Sequence, residues 1–325
     1  MVQWRARVEA TAAELAATAF YAELLRVLEA ADLPYSHSGH VDVSEIPHWP
    51  ESKDIFIHGV DQPSPSSQQQ RQRQQQMAPT LQGPGHLAGA ARDGSAALPP
   101  LLRGLQAMVI YGLGSLEQPG GIHIRCQCAL ALRLAALLQP RLASPPEAFD
   151  PVFTGLDRSV LQALGIAVLQ EDEGGARVAG VPTLFYLPHC EDSLTDALLA
   201  ANVAAGTLCN CVLLGNRLSI YPERWGEGAG ASSGAASARG SGNSEQCGRS
   251  SLRQAHWREV RPRPDMLLAL CAAGAVLEVP VHEQGYPVVS AFNDLALHTF
   301  AADWRERLMR ADGEIQAQQC FTVTK

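Results

Sequence analysis

Apolar residues recur at three- and four-residue steps through the start of the chain. Val8, Ala12, Leu15, Ala19 and Ala22 form one row, and Phe20, Leu24 and Leu28 form a second. Two apolar rows predict a helix with a broad buried face, so residues 1–34 are expected to dock as a helix on the main domain, with Pro34 as the stop.

Further along, short apolar runs alternate with helical patterns. Ala107–Tyr111 predicts a buried strand ending at Gly112, and Ile124–Leu138 an apolar helix stopped by Pro140. Ala148–Asp150 predicts a second strand ending before Pro151. Asp157 is the expected N-cap of a helix over Arg158–Leu164, closed by Gly165. Ile166–Gln170 and Pro182–Leu187 predict the third and fourth strands. Ser193 and Asp196 have capping-box spacing at the head of a helix over Leu194–Asn202. Asn210–Leu214 is the fifth strand, Pro264–Ala273 a helix and Ala275–Val281 the sixth strand. Leu295–Phe300 reads as an edge strand, or as the first turns of a helix through Leu308, with strand preferred. Runs of Val, Ile and Leu in a βαβα order imply a mostly parallel sheet covered on both faces. Right-handed crossovers make that a three-layer, Rossmann-like α/β sandwich, here over residues 101–310.

Two stretches break the pattern. Residues 61–100 carry the tract Gln68–Gln76, interrupted only by Arg71 and Arg73, together with scattered Pro and Gly. Too little apolar surface is present to offset the entropy of ordering, so a disordered insertion is expected. The glutamine tract reads either as a tolerated surface insertion or as a self-association element. Residues 226–251 hold seven glycines and seven serines, which predicts a flexible loop inside the domain.

Composition narrows the functional classes. Apolar residues make up 46% and charged residues 18% of 325, as in a globular chain with ample core. The net charge of −8 gives no electrostatic footing for direct binding to nucleic acid or anionic lipid. The longest apolar run, Met266 to Leu277, is too short for a membrane span. Glu9 and Glu14 lie where a signal peptide would be apolar, so the eight cysteines are expected to be reduced thiols.

In open parallel sheets ligands gather at the carboxyl ends of the strands. The polar and glycine residues there are Gly112, Gly114, Ser115, Asp150, His189, Cys190, Gly215 and Asn216, joined by Asn293, Asp294 and His298 if the last strand lies beside them. Tyr111-Gly112-Leu113-Gly114-Ser115 reads as a phosphate-binding turn or as a plain strand-to-helix turn. Glu117 replaces the third glycine of the dinucleotide pattern, and Pro119-Gly120-Gly121 delays the helix. Asp150 stands where an acid holds ribose hydroxyls, or it forms an Asp-Pro turn. His189, before a helix N-terminus, suits a neutral acceptor or base, and Cys190 a partly activated thiol; the other reading is a satisfied structural histidine. Cys126-x-Cys128 and Cys209-x-Cys211 lack zinc spacing and read as core thiols, so no metal is expected.

Five segments occur in a recognisable order: Tyr-Gly-Leu-Gly-Ser at 111–115, Phe-Asp-Pro-Val-Phe-Thr at 149–154, Phe-Tyr-Leu-Pro-His-Cys at 185–190, Leu-Gly-Asn at 214–216, and Ala-Phe-Asn-Asp-Leu-Ala-Leu-His-Thr-Phe at 291–300. Together with Ala-Phe-Tyr-Ala-Glu-Leu-Leu at 19–25, they resemble the Sensitivity to Red Light Reduced (SRR-like) family over about 1–34 and 104–300. The resemblance implies a regulatory protein of phytochrome light signalling and circadian control, with haem regulation a further link among animal relatives. It implies signalling or clock partners and residence in cytoplasm and nucleus, with no catalytic reaction or cofactor to carry over. A sensor or enzyme using the same cleft, for a nucleotide-like ligand or S-adenosylmethionine, is the alternative. The chain departs from the family at Leu295-Ala296, where a polar pair is more common.

Overall fold

A computed structural model describes residues 1–31, 100–118, 121–139, 141–225 and 262–311. Most of the 61–100 insertion and all of the 226–251 loop lie outside the described residues.

The chain begins with two helices where the sequence predicts one. α1 (Val2–Ala16) and α2 (Ala19–Ala30) are separated at Thr18, whose hydroxyl donates to the Leu15 carbonyl and accepts the Tyr21 N–H. That hydroxyl ends one helix and caps the next, a role apolar periodicity does not reveal. The short α3 (Pro100–Gly104) then leads into β1 (Ala107–Tyr111). Next come α4 (Ile122–Leu138), β2 (Glu147–Phe149), α5 (Gly155–Ala163), β3 (Ala167–Val168) and β4 (Thr183–Leu187). α6 (Asp192–Ala205), β5 (Cys211–Asn216), α7 (Tyr221–Trp225), α8 (Asp265–Ala272), β6 (Val276–Pro280) and β7 (Leu295–Phe300) follow. Leu295–Phe300 is a strand, as preferred, but an interior one and not an edge, because β6 pairs along its far side; the helix, over residues 304–311, begins only after the strand has ended.

The seven strands form one sheet in the order β3-β2-β1-β4-β5-β7-β6. β1 to β5 are parallel, and β7 is inserted antiparallel between β5 and β6. Alternate strand residues point into two separate cores. Met108, Ile110, Leu184, Tyr186, Val212 and Leu214 face one core, shared with α1, α2, α4 and α5. Val109, Tyr111, Phe185, Leu187, Cys211 and Leu213 face the other, shared with α6, α7 and α8. Helices on both faces explain why the central strands read as continuous apolar runs. No helix among the described residues is long and apolar enough to cross a membrane.

Two helix starts differ from expectation. α5 is capped by Thr154, not Asp157; Asp157 is the third residue of the helix and returns a hydrogen bond to the Thr154 N–H at 2.8 Å. α6 starts at Asp192 with Glu191 at the N-cap position and no side-chain cap, so Ser193 and Asp196 lie inside the helix, where Asp196 accepts the Leu267 N–H at 2.8 Å.

A structural anchor also escapes sequence reasoning. The crossover from β3 to β4 contains no helix among the described residues, and loop 169–182 covers that face. Asn202, fully buried in α6, holds this loop: its Oδ1 accepts the Ala179 N–H, and its Nδ2 donates to the Arg177 carbonyl, both at 2.8 Å.

Candidate functional site

Strand order decides where a crevice can open. β1 sends its crossover over one face and β4 over the other, so their carboxyl ends form the topological switch point of the sheet. Antiparallel β7 starts beside the end of β5, with Leu295 opposite Asn216, which delivers Asn293 and Asp294 to the same rim. Gly112, Gly114, Ser115, Asp150, His189, Cys190, Gly215, Asn216, Asn293 and Asp294 are thereby collected along one edge.

These residues bond to one another. Asp150, which is 6% exposed, accepts the Gly114 N–H on Oδ2 at 2.7 Å and the Val152 N–H on Oδ1 at 3.0 Å. The carboxylate therefore closes both the β1 turn and its own Asp-Pro turn. Buried Ser115 accepts the Glu117 N–H on its hydroxyl at 3.2 Å. Asn216 Nδ2 donates to the Cys190 carbonyl at 2.8 Å, and the Arg217 N–H donates to the Asp294 carbonyl at 2.8 Å. Gly112 has φ +72°, and a Cβ built on it would lie 2.4 Å from the Cys190 Sγ. Only glycine allows both that backbone and that approach.

Two expectations about chemistry are corrected here. Cys190 is not an activated thiol: burial, with the Asp150 and Glu191 carboxylates adding to it, pushes its pKa up to about 12, and its Sγ–H donates to the Tyr111 carbonyl at 3.3 Å. His298 does not face the rim. It lies within β7 opposite Leu213 and Glu278, is 1% exposed, and hydrogen-bonds Glu278 Oε2 through Nε2 at 3.1 Å. Glu278 also accepts the Leu218 and Ser219 N–H groups at 2.6 and 3.0 Å and the Ser219 hydroxyl at 2.7 Å. Burial alone would raise its pKa, but the hydrogen bonds from His298 and Ser219 outweigh it and hold it at about 2. An acid in the middle of the apolar run Val276–Val279 was the signal for this cluster.

His189 is exposed at φ +52°, and its Nε2–H donates to the Ala291 carbonyl at 3.2 Å. Gln127, a polar residue between two core cysteines of α4, donates to the same carbonyl at 3.4 Å. Neither Gln127 nor Ala291 is suggested by sequence spacing. Three non-glycine residues have positive φ in the described chain, His189, Ser290 (63°) and Asp294 (59°), and all three lie on this rim or in the strap Ser290–Asp294 that leads into β7. Such backbone costs about 1–3 kcal/mol per residue and concentrates at functional positions. Within this strap, Phe292 stacks on Phe20 of α2 with ring centroids 4.4 Å apart and planes 6° apart. The N-terminal helices thus brace the rim segment.

With this geometry in place, comparison with known proteins is informative. A family model, the SRR1 domain, matches residues 96–299, which include every strand of the sheet but the final residue of β7. The chain belongs to the SRR1 family. It is 35% identical over 117 residues to Protein SENSITIVITY TO RED LIGHT REDUCED 1 of Arabidopsis thaliana, covering 36% of this chain and 42% of that protein. It is 35% identical over 152 residues to an SRR1-like protein of Mus musculus, covering 46% of this chain and 60% of the relative. The chain thus spans about half the length of the curated relatives it matches. No solved structure matches it. α1 and α2 lie outside the SRR1 match, although they form one compact unit with the sheet.

Proposed function

We propose that this SRR1-family chain is a regulatory protein of light signalling and clock control, and that the strand-end rim is its working surface. It acts in cytoplasm and nucleus through signalling partners, without turnover. The observation that carries this reading is the family match over residues 96–299, together with the likeness to a plant relative named for reduced sensitivity to red light. The rim's chemistry agrees with it. Cys190 is held as a thiol, both Asp150 oxygens accept backbone N–H groups, and the buried His298 lies below the rim, so this surface offers recognition groups rather than an activated nucleophile.

The test uses cells lacking the chain and resupplied with wild type or His189→Ala, with light-dependent growth and circadian period as readouts. The reading expects the variant to fold and to lose the response. A variant that responds as wild type does overturns the rim as the working surface.

A further inference from the structure

If the rim is the working surface, as proposed above, its groups select the ligand that it admits. In nucleotide-binding turns of open α/β sheets, free backbone N–H groups point at phosphate. Here five of them are already used. The Gly112 N–H donates to the Phe149 carbonyl, Gly114 to Asp150, Leu116 to Asp157, Glu117 to the Ser115 hydroxyl and Gln118 to the Ser115 carbonyl. Two of these acceptors are buried carboxylates, Asp150 at 6% and Asp157 at 1% exposure. A phosphate placed on the turn would have to displace one carboxylate and sit beside the other. Glu117, Glu191 and Asp294 add negative charge to the rim, and Arg217, which follows Asn216, lies 3.6 Å from Glu278. The field therefore rejects anions and favours neutral or cationic molecules.

A second, independent feature points to a ligand. The hydroxyl of Tyr186, the penultimate residue of β4, is completely buried and finds no hydrogen-bond partner among the described residues. Its electrostatic neighbours are Cys128, Cys190, Cys126 and Tyr286, which places it between α4, the end of β4 and the strap. A buried hydroxyl without a partner calls for an explanation. On the same side of the sheet end, Gln127, between Cys126 and Cys128, and His189, before Cys190, both donate to one oxygen, the Ala291 carbonyl, at the long distances of 3.4 and 3.2 Å. The strap Ser290–Asp294 thus occupies the donors of the switch point with its own backbone, between two residues of positive φ. The cavity under the turn, lined by Leu113, Gly114, Phe153 and Asp157 among others, measures about 10 Å³, room for one water at most.

We propose that this rim binds a phosphate-free nucleoside, neutral or cationic, beneath a strap formed by Ser290–Asp294. Lifting Ala291 frees the His189 and Gln127 donors and opens a path to Tyr186. Asp150, at the end of β2 where this class of fold holds ribose hydroxyls, keeps unused lone pairs for a diol. The exposed Asp294 carboxylate favours a positive charge on the ligand.

Thermal unfolding and calorimetric titration of the full chain test this with adenosine as the neutral probe, S-adenosylmethionine as the cationic one, and ATP, NAD and pyrophosphate as anionic ones. Adenosine or S-adenosylmethionine is expected to raise the Tm by roughly 5–10 °C at a hundredfold excess over Kd, while the phosphates change it by less than about 1 °C. Asp294→Asn keeps the left-handed backbone that asparagine tolerates and is expected to weaken S-adenosylmethionine about three- to tenfold, leaving adenosine unchanged. A larger shift with ATP, NAD or pyrophosphate overturns the ligand class and leaves the rim standing. No shift with any probe overturns nucleoside binding, while the regulatory reading is decided separately by the His189→Ala response.

Discussion

Replacing Gly112 by alanine strikes the point where β1 meets β4. Two costs arise there. Alanine must take up φ +72°, which costs about 1–2 kcal/mol in the left-handed region. Its Cβ would also lie 2.4 Å from the Cys190 Sγ, and forced overpacking of this kind costs about 1–3 kcal/mol. The single variant is therefore expected to lose about 2–5 kcal/mol. Cys190→Ala alone loses a half-buried sulfur and its weak hydrogen bond to Tyr111, about 1 kcal/mol. Removing the sulfur leaves the two Cβ atoms 3.8 Å apart, an ordinary contact, so the steric part of the Gly112→Ala cost should vanish in the double variant. The double-mutant cycle should then show a loss smaller than the sum of the singles by about 1–3 kcal/mol. Urea unfolding with a common m-value measures it. Additivity within about 0.5 kcal/mol would refute the close approach of the glycine turn to the β4 end.

Three other outcomes follow from buried polar groups. Asn202→Ala leaves the Ala179 N–H, the Arg177 carbonyl and the Thr207 hydroxyl without their shared partner, and urea unfolding should register a loss of about 3–5 kcal/mol; a loss under 1 kcal/mol would mean the loop has another anchor. Glu278, held at about 2 against an ordinary 4.5, contributes stability that is present above pH 4.5 and lost as the pH falls toward 2. The expected loss is about 2 kcal/mol after allowance for partial exposure, and it should disappear in Glu278→Gln. A variant with the wild-type acid profile contradicts that assignment, in which His298, Ser219 and the Leu218 N–H face the carboxylate and Arg217 lies 3.6 Å away. Burial pushes Cys128, Cys190 and Cys211 up to about 12, so a thiol reagent at pH 8 should modify them at least a hundredfold more slowly in native than in urea-unfolded protein; rapid native labelling of Cys190 would contradict its burial.

Much of the architecture was readable because apolar burial dictates it. β1 is found at Ala107–Tyr111 as its run of Met, Val and Ile predicts, and the other strands differ from expectation by a few residues at their ends. The break at Thr18 and the cap at Thr154 were missed because a single hydroxyl decides each, whatever the apolar rows suggest. The rim residues were nameable from strand ends, since the carboxyl edge of a parallel sheet is fixed by topology. His298 was misplaced because antiparallel β7 enters at the rim and runs away from it, so only its first residues lie there. Asn202 and Gln127 escape sequence reasoning, and Glu278 shows only as an acid inside an apolar strand: the meaning of each comes from partners distant in sequence.

The working role of the rim is tested most directly by separating function from stability. His189→Ala removes an exposed imidazole that holds the Ala291 strap, whereas Val212→Ala hollows the distant, fully buried part of β5 and should destabilise more. Both are introduced into cells lacking the chain, with the folded amount of each measured alongside the light response. The account predicts that His189→Ala abolishes the response at a near-normal folded level while Val212→Ala responds in proportion to what folds. A response that follows folded amount alone for both variants would contradict it.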